Sequence, residues 1–400
     1  MSAWRTVPLE DLAADEPNSF VDGPFGSDLK TSEYVEVGVP LIRIQNVKPN
    51  RFLSKEIRYV SDQKARQLSR HNYRPGDLVI TKLGAPCGVA CIVPEQAGCG
   101  LIVADIVRFR GDSRKIDHGF LSHFINSPAA IGWVGRETKG TTRQRVNLSN
   151  FKRLPVPLPP LPEQRRIAEV LDRAEALRAK RRTALAQFDT LTQSIFLDLF
   201  GDPVTNNKGF PVSQMGDVCD VRDGTHDSPK YVSDGGYPLV TSKNVSGGFV
   251  DLTDANYISE ADYVQINKRS KVDRGDIIMP MIGTIGSPVL ADHEPRYAIK
   301  NVALIKFTET SPSAVFVRHL LSCHYFDHIV SQKNRGGTQK FVSLGDLRAF
   351  PLPLPPMELQ GEFTRCVHAV EKLRATYRAS LAELDALFAS LQHRAFRGEL

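Results

Sequence analysis

The chain has 400 residues, 41% of them hydrophobic and 24% charged, with a formal net charge of +6. That is enough apolar side chain for two or three packed domains, because single cores stop growing near roughly 250–300 residues, and it excludes a disordered chain. No apolar run approaches the roughly 20 residues that cross a bilayer, and the opening "MSAWRTVPLEDLAADEP" has no leader-like apolar stretch, so a cytoplasmic protein without membrane contact is expected.

Residues 1–153 read as a first domain. Its apolar segments, such as "GVPLIRIQNV" from Gly38 and "RPGDLVITKLG" from Arg74, are short, β-branched and bounded by Gly, Pro, Asn and Asp, which predicts strands. "DHGFLSHFINSP" predicts a helix. Of the six cysteines only Cys87, Cys91 and Cys99 cluster, and their spacing is not that of a zinc finger, so buried thiols and no metal are expected. The domain closes on "GRETKGTTRQRVNLSNFKRLP", which sets Arg136, Lys139, Arg143, Arg145, Lys152 and Arg153 against the single acid Glu137. Such a run neutralises phosphates and carries forks that match base edges, Arg to guanine and Asn or Gln to adenine.

Residues 154–202 form a proline strap, "LPVPLPPLPEQ", and a long helix. Proline disfavours strand and helix interiors alike, so the strap is expected to be extended, polyproline-like chain. The helix is predicted from about Pro162 to Phe200, roughly 57 Å at 1.5 Å per residue. Its positions Ile167, Val170, Ala174, Leu177, Arg181, Ala184, Phe188, Leu191 and Ile195 step by three and four as a coiled-coil seam, with Arg181 the misfit. Gly201-Asp202-Pro203 stops it.

Residues 203–349 repeat the first domain. "GYPLVTSKNV" answers "GVPLIRIQNV", "YISE" answers "YVSD", and "DRGDIIMPMIG" answers "RPGDLVITKLG". "AVFVRHLLSCHYFDHIV" predicts helix, and "QKNRGGTQKFVSLGDL" is again a basic run before a strap. Residues 350–400 are the second strap, "FPLPLPPMELQ", lying 196 positions beyond the first, and a second helix. Its seam, Phe363, Cys366, Val370, Leu373, Tyr377, Ser380, Leu384, Leu387 and Leu391, matches the first position by position. Ile167, Val170, Leu177, Phe188 and Leu191 are therefore expected to pack against Phe363, Val370, Leu373, Leu384 and Leu387. The fold expected is α+β: two similar strand-rich domains separated by two long antiparallel coiled-coil helices, with an internal pseudo-twofold repeat.

No phosphate-binding G-x-x-x-x-G-K-[ST], Rossmann G-x-G-x-x-G, H-E-x-x-H or G-x-S-x-G occurs, nor the Asn/Asp-Pro-Pro-Tyr/Phe tetrapeptide of amino-methyltransferases. The histidines are scattered, so no catalytic residue and no metal ligand is assigned. After the shared Pro-Leu, one copy carries Arg43, Gln45 and Asn46 and the other Thr241, Ser242, Lys243 and Asn244. A kept framework with varied polar residues suits two readers of different targets. The expected DNA contacts are Arg43, Gln45, Asn46, Lys82, Arg143 and Gln144 in the first domain, and Thr241, Lys243, Asn244, Lys333, Arg335 and Gln339 in the second.

The succession of domain, "LPVPLPPLPEQ" strap running into "EQRRIAEVLDRAEALRAKRR", second domain and second strap-helix resembles the specificity subunit of type I restriction-modification systems over essentially the whole chain. The resemblance implies two target-recognition domains, each reading one half of a bipartite double-stranded DNA site, on a helix pair that sets the spacer. It implies a non-catalytic subunit that docks two modification (methyltransferase) subunits and, through them, restriction (motor-nuclease) subunits. S-adenosylmethionine, ATP and magnesium would then sit on those partners and no cofactor on this chain. "MELQGEFTRCV" departs from the first strap-helix by lacking the counterparts of Pro162, Glu163, Arg165 and Arg166. The competing reading is a coiled-coil adaptor whose duplicated domains bind proteins, and steeply salt-dependent DNA affinity separates the two.

Overall fold

The computed structural model describes residues 4–138, 144–246, 248–281, 287–291, 294–333 and 342–400. The chain forms two compact units that do not follow chain order: residues 1–183 with 379–400, and residues 184–378. Both boundaries run through the long helices, Leu161–Phe200 and Met357–Ala395. Among the described residues no helix is long and apolar enough to cross a membrane.

The first unit carries a four-stranded sheet in the order Ala90–Ile92, Leu78–Thr81, Ile106–Phe109, Phe20–Asp22, and a five-stranded sheet centred on Val39–Ile42 and Gly100–Ile102. Only that central pair is parallel. The strand Leu78–Thr81 is buried on both faces, and its side chains alternate between two cores. Leu78 and Ile80 join Val107, Phe109, Phe120 and Phe124 beneath the helix His118–Ile125. Val79 faces Ile42, Cys91, Ile102 and Ile106 between the sheets.

The second unit repeats this plan. Asp220–Asp223, Val302–Lys306, Ile277–Pro280 and Val289–Leu290 form the four-stranded sheet, and Tyr237–Val240 runs parallel to Ala298–Ile299 in the other. The "GD" turns repeat to the atom. Gly76 and Gly275 sit at φ of 85° and 93°, backbone that favours glycine. Asp77 accepts the Arg74 amide at 2.9 Å and Asp276 the Asp273 amide at 2.8 Å. Each carboxylate, buried, also holds a cation at the end of the neighbouring strand: Arg110, just past Ile106–Phe109, at 2.7 Å, and Lys306 at 2.6 Å.

The straps differ from the polyproline expectation: both are strands. Pro155–Leu158 pairs antiparallel with Arg5–Pro8, and Pro351–Pro353 with Val212–Gln214. In a two-stranded ribbon only alternate residues donate to the partner, so prolines fit at the others. Each strap then ends on a buried glutamine. Gln164 accepts the Asp117 amide at 2.7 Å and donates to the carbonyls of Lys115 (3.1 Å) and Pro159 (2.8 Å). Gln360 accepts the Ser313 amide at 2.7 Å and donates to the Pro355 carbonyl at 2.8 Å. Both capture the residue that caps the domain's core helix, since Asp117 and Ser313 are its N-caps.

Within each unit the long-helix segments run antiparallel. Arg178 meets Asp385 at 2.6 Å in the first unit and Arg374 meets Asp189 at 2.5 Å in the second, one ion pair written twice 196 positions apart. Arg178 also lies over the Phe388 ring at 4.3 Å. Ile167, Phe188, Phe363 and Val370 are buried, Ile167 in the core of the first unit and Phe363 in that of the second, and Val170 and Leu384 are half-buried. Leu177, Leu191, Leu373 and Leu387 are not: they are 43–53% exposed. The seam steps from Ile167 by four to Leu171 before Ala174, so the second row lies one residue later than expected, at Leu171, Arg178 and Thr192. Leucines flank both candidate rows, so the spacing alone does not fix the phase.

Gln164→Leu leaves the Asp117 amide and two carbonyls unpaired and is expected to lower unfolding free energy by about 1–3 kcal/mol, read by urea titration. A second expectation concerns His319, which is half-buried with its Nε2 fully enclosed and its ring stacked on Phe196 at 4.4 Å. Burial first, and then neighbouring Arg318, lower its pKa to about 4. The unfolded chain therefore binds this proton more readily. Stability is unaffected above about pH 6.5 and falls, by up to about 3 kcal/mol, as pH drops toward 4. His319→Phe is expected to flatten that limb in urea titrations across the same range.

Candidate nucleic-acid interface

In the first unit the parallel strands Val39–Ile42 and Gly100–Ile102 end side by side, so the segments after them share one edge of the domain. The Val103 amide donates to the Ile42 carbonyl at 3.2 Å. The turn after Phe20–Asp22 joins them: a Cβ on Gly23 would lie 2.0 Å from the Val103 carbonyl oxygen, so only glycine fits there. The Lys82 amide donates to the Asp105 carbonyl at 2.8 Å, the Val146 amide to the Lys82 carbonyl at 3.0 Å, and Arg145 pairs with Asp105 at 3.1 Å. Segments around residues 23, 43, 82, 104 and 145, remote in sequence, are thereby gathered on one edge.

The second unit builds the same edge. The Lys300 amide donates to the Val240 carbonyl at 2.8 Å, the Thr225 amide to the Ile299 carbonyl at 3.0 Å, and the Val342 amide to the Met281 carbonyl at 3.1 Å. A Cβ on Gly224 would lie 2.5 Å from the Ile299 carbonyl oxygen. Lys300 reaches Ser228 Oγ at 2.6 Å. His226 is exposed, with Nδ1 2.8 Å from Asn301 Oδ1 and Nε2 2.7 Å from Asp223 Oδ2. Those two hydrogen bonds, Asn301 first and Asp223 second, raise its pKa, because both acceptors call for an N–H and only the imidazolium supplies two.

Three of the residues expected to touch DNA have structural work instead. Asn46 is fully buried; its Oδ1 accepts the Arg43 amide at 2.9 Å and its Nδ2 donates to the carbonyls of Leu53 (2.9 Å) and Lys55 (3.0 Å). Asn244 does the same with the Thr241 amide (3.0 Å) and the Asp251 carbonyl (3.1 Å). Lys82 is buried with Nζ 2.7 Å from Asp22. These corrections share one physical reason: a side chain that satisfies buried polar groups has no free edge for a base. Identity at Asn46 and Asn244 was itself the signal, since a residue kept in both copies belongs to the framework.

The tied turns display the residues beside them. Gln45 and Lys243, at matching positions, are exposed, Arg43 is half-buried with Nη2 on the Glu56 carbonyl at 2.7 Å, and Thr241 donates its hydroxyl to Asn244 at 3.0 Å. Gln144 is exposed, and its carbonyl accepts from Cys87 Sγ at 3.1 Å. Arg143, Arg335, Gln339 and the side chain of Lys333 lie outside the described residues. Cys87 and Cys91 are buried thiols, Cys91 pushed up to about 12 by burial, whereas Cys99 is exposed. Among the described residues no group of three or more His, Cys, Asp or Glu is placed to hold a metal. Sequence reading missed Phe25, His226 and Lys300, although "DG" recurs before the first two. Asn46→Ala is expected to cost about 1–3 kcal/mol of stability while Gln45→Ala costs none, a contrast that thermal melts of the two variants check.

Two matches to the family model of the type I restriction modification DNA specificity domain cover residues 26–187 and 207–385. The chain is 21% identical to the putative type I restriction enzyme MjaX specificity subunit of Methanocaldococcus jannaschii, over 88% of this chain and 84% of that one. It is 22% identical to the type I restriction enzyme EcoKI specificity subunit of Escherichia coli strain K12, over 90% and 82%. Its fold is similar to a chain from a structure of type I R-M system assembly and conformational transition, at a TM-score of 0.60, 19% identity and coverage of 100% and 99%. It is also similar to the type I restriction-modification S subunit from M. genitalium, at a TM-score of 0.58, 14% identity and coverage of 98% and 96%. A duplicated domain, a repeated strap and helix, and a twice-built loop edge agree with those matches: the chain belongs to the type I restriction-modification DNA specificity family.

Proposed function

We propose that this chain is the sequence-specific DNA-binding subunit of a type I restriction-modification complex, each unit reading one half of a bipartite site. The observation that carries this is the twice-built edge, where Asn46 and Asn244 hold identical turns while the exposed positions beside them change from Gln45 to Lys243. A fixed scaffold that varies only what it displays is what two different half-sites require. Gln reads adenine edges bidentately, and Lys reads guanine acceptors or a phosphate. The subunit itself does no chemistry. Methyl transfer and DNA translocation belong to modification and restriction subunits that carry S-adenosylmethionine, ATP and magnesium, in the cytoplasm beside the chromosome.

The helix pair sets the spacer between half-sites and docks the two modification subunits. The exposed leucines support that role, for they come in repeat-related sets, Leu177 and Leu387 in one unit and Leu373 and Leu191 in the other. Apolar side chains left uncovered at equivalent places suit equivalent partners. The first helix also keeps the Glu163–Arg166 pair at 2.7 Å, which the second lacks, so the two docking surfaces differ in charge near the strap.

Methylome sequencing of a host with and without this gene tests the proposal. One bipartite N6-methyladenine motif is expected to disappear with the gene, and exchanging residues 203–349 for another recognition domain is expected to rewrite one half of it. An unchanged methylome in a strain whose modification subunits are active sinks the DNA-reading role and favours the adaptor.

A further inference from the structure

In both units the strand that ends on an aspartate turns at a glycine, and the third residue after the aspartate stands exposed at the recognition edge: Asp22, Gly23 and Phe25 in one copy, Asp223, Gly224 and His226 in the other. The equivalence is set by register. The Gly23 amide donates to the Ile106 carbonyl and the Gly224 amide to the Val302 carbonyl, both at 2.9 Å. Phe25 is 77% exposed; a single exposed apolar side chain is ordinary on a protein surface, and what sets this one apart is the turn that carries it. The turn beneath it is fixed, since Asp22 is held by buried Lys82 at 2.7 Å and Gly23 is jammed against the Val103 carbonyl. The second turn is fixed by Arg269 on Asp223 at 2.5 Å, and its ring by Asp223 and Asn301. A rigid base with a ring at its tip is the arrangement that positions a contact without an ordering cost at binding.

The two rings differ in what they can distinguish. Phenylalanine has no donor or acceptor, so the one major-groove feature it can select is the thymine C5-methyl group. His226 has both ring nitrogens engaged, by Asn301 and Asp223, and a ring so held carries positive charge when protonated, which suits the acceptor-rich edge of guanine, N7 and O6. We propose that Phe25 and His226 are specificity-determining residues of their respective half-sites, Phe25 selecting a thymine and His226 a guanine. The inference rests on the DNA-reading role proposed above and assigns to that role two residues outside the turns at 43–46 and 241–244.

The test is methylome sequencing of a host carrying the complete complex with the wild-type chain, Phe25→Ala, His226→Ala or His226→Gln. Phe25→Ala is expected to relax one thymine position of the first half-site by roughly tenfold and leave the second half-site as it was. The His226 variants are expected to relax one guanine position of the second half-site alone. His226→Gln, which keeps a hydrogen bond to the Asp223 turn, decides the matter if His226→Ala does not fold; melting of each purified chain separates lost stability from lost discrimination. A wild-type motif copied unchanged by folded Phe25→Ala and His226→Gln chains overturns this inference alone. A wild-type chain that yields no bipartite motif overturns the DNA-reading role and this inference with it.

Discussion

A single buried glutamine amide couples each recognition domain to its long helix. Gln164 and Gln360 stand at the first turn of helices of 40 and 39 residues and reach back to the N-cap of the domain's core helix. An amide with an acceptor and donors all satisfied in a buried place permits one geometry and penalises the rest. The strap strand approaches from the other side and pairs with the first strand of its domain, so the helix leaves at a direction fixed at two points. Everything the helix is proposed to do, as a ruler and as a docking surface, depends on that direction not drifting.

The recognition edge arises from a second constraint, the parallel pairing at the centre of each smaller sheet. Two strands ending at the same level bring their exit loops together, and ligand sites of α/β proteins form at such strand ends for that reason. Here the edge also draws in the strand-ending aspartate turn and the segment that precedes the strap. Half-buried ion pairs such as Asp22–Lys82 sit under the surface that would face DNA. They keep the loops in place, and the polar residues beside them are free to vary.

Much of this was legible in the sequence. The duplication, the straps, both helices and their antiparallel partnership follow from matched letters and a seam of apolar spacing. The phase of that seam was not, because leucines lie on both sides of Ile167, Ala174 and Phe188 and only packing shows that Leu171 turns inward while Leu177 turns out. Asn46, Asn244 and Lys82 have the composition of DNA contacts and the burial of framework, a distinction that needs their hydrogen-bond partners. The convergence of residues near 23, 82, 104 and 145 depends on strand order, which no local pattern contains. Proline suggested a strap with no partner strand, yet alternation with Val156 and Leu158 lets it join an edge.

The repeated ion pair carries instructions about direction. If the two long helices lay parallel with their matching positions level, Arg178 would face Arg374 and Asp189 would face Asp385, since each pair occupies one place in the repeat. Antiparallel, each arginine finds the aspartate of the other copy. Like charges brought together within a partly buried seam repel one another and lose water without recompense. A segment duplicated head to tail, which by itself has no reason to prefer one alignment with its copy, thus contains a rule that its two copies meet only in opposite senses.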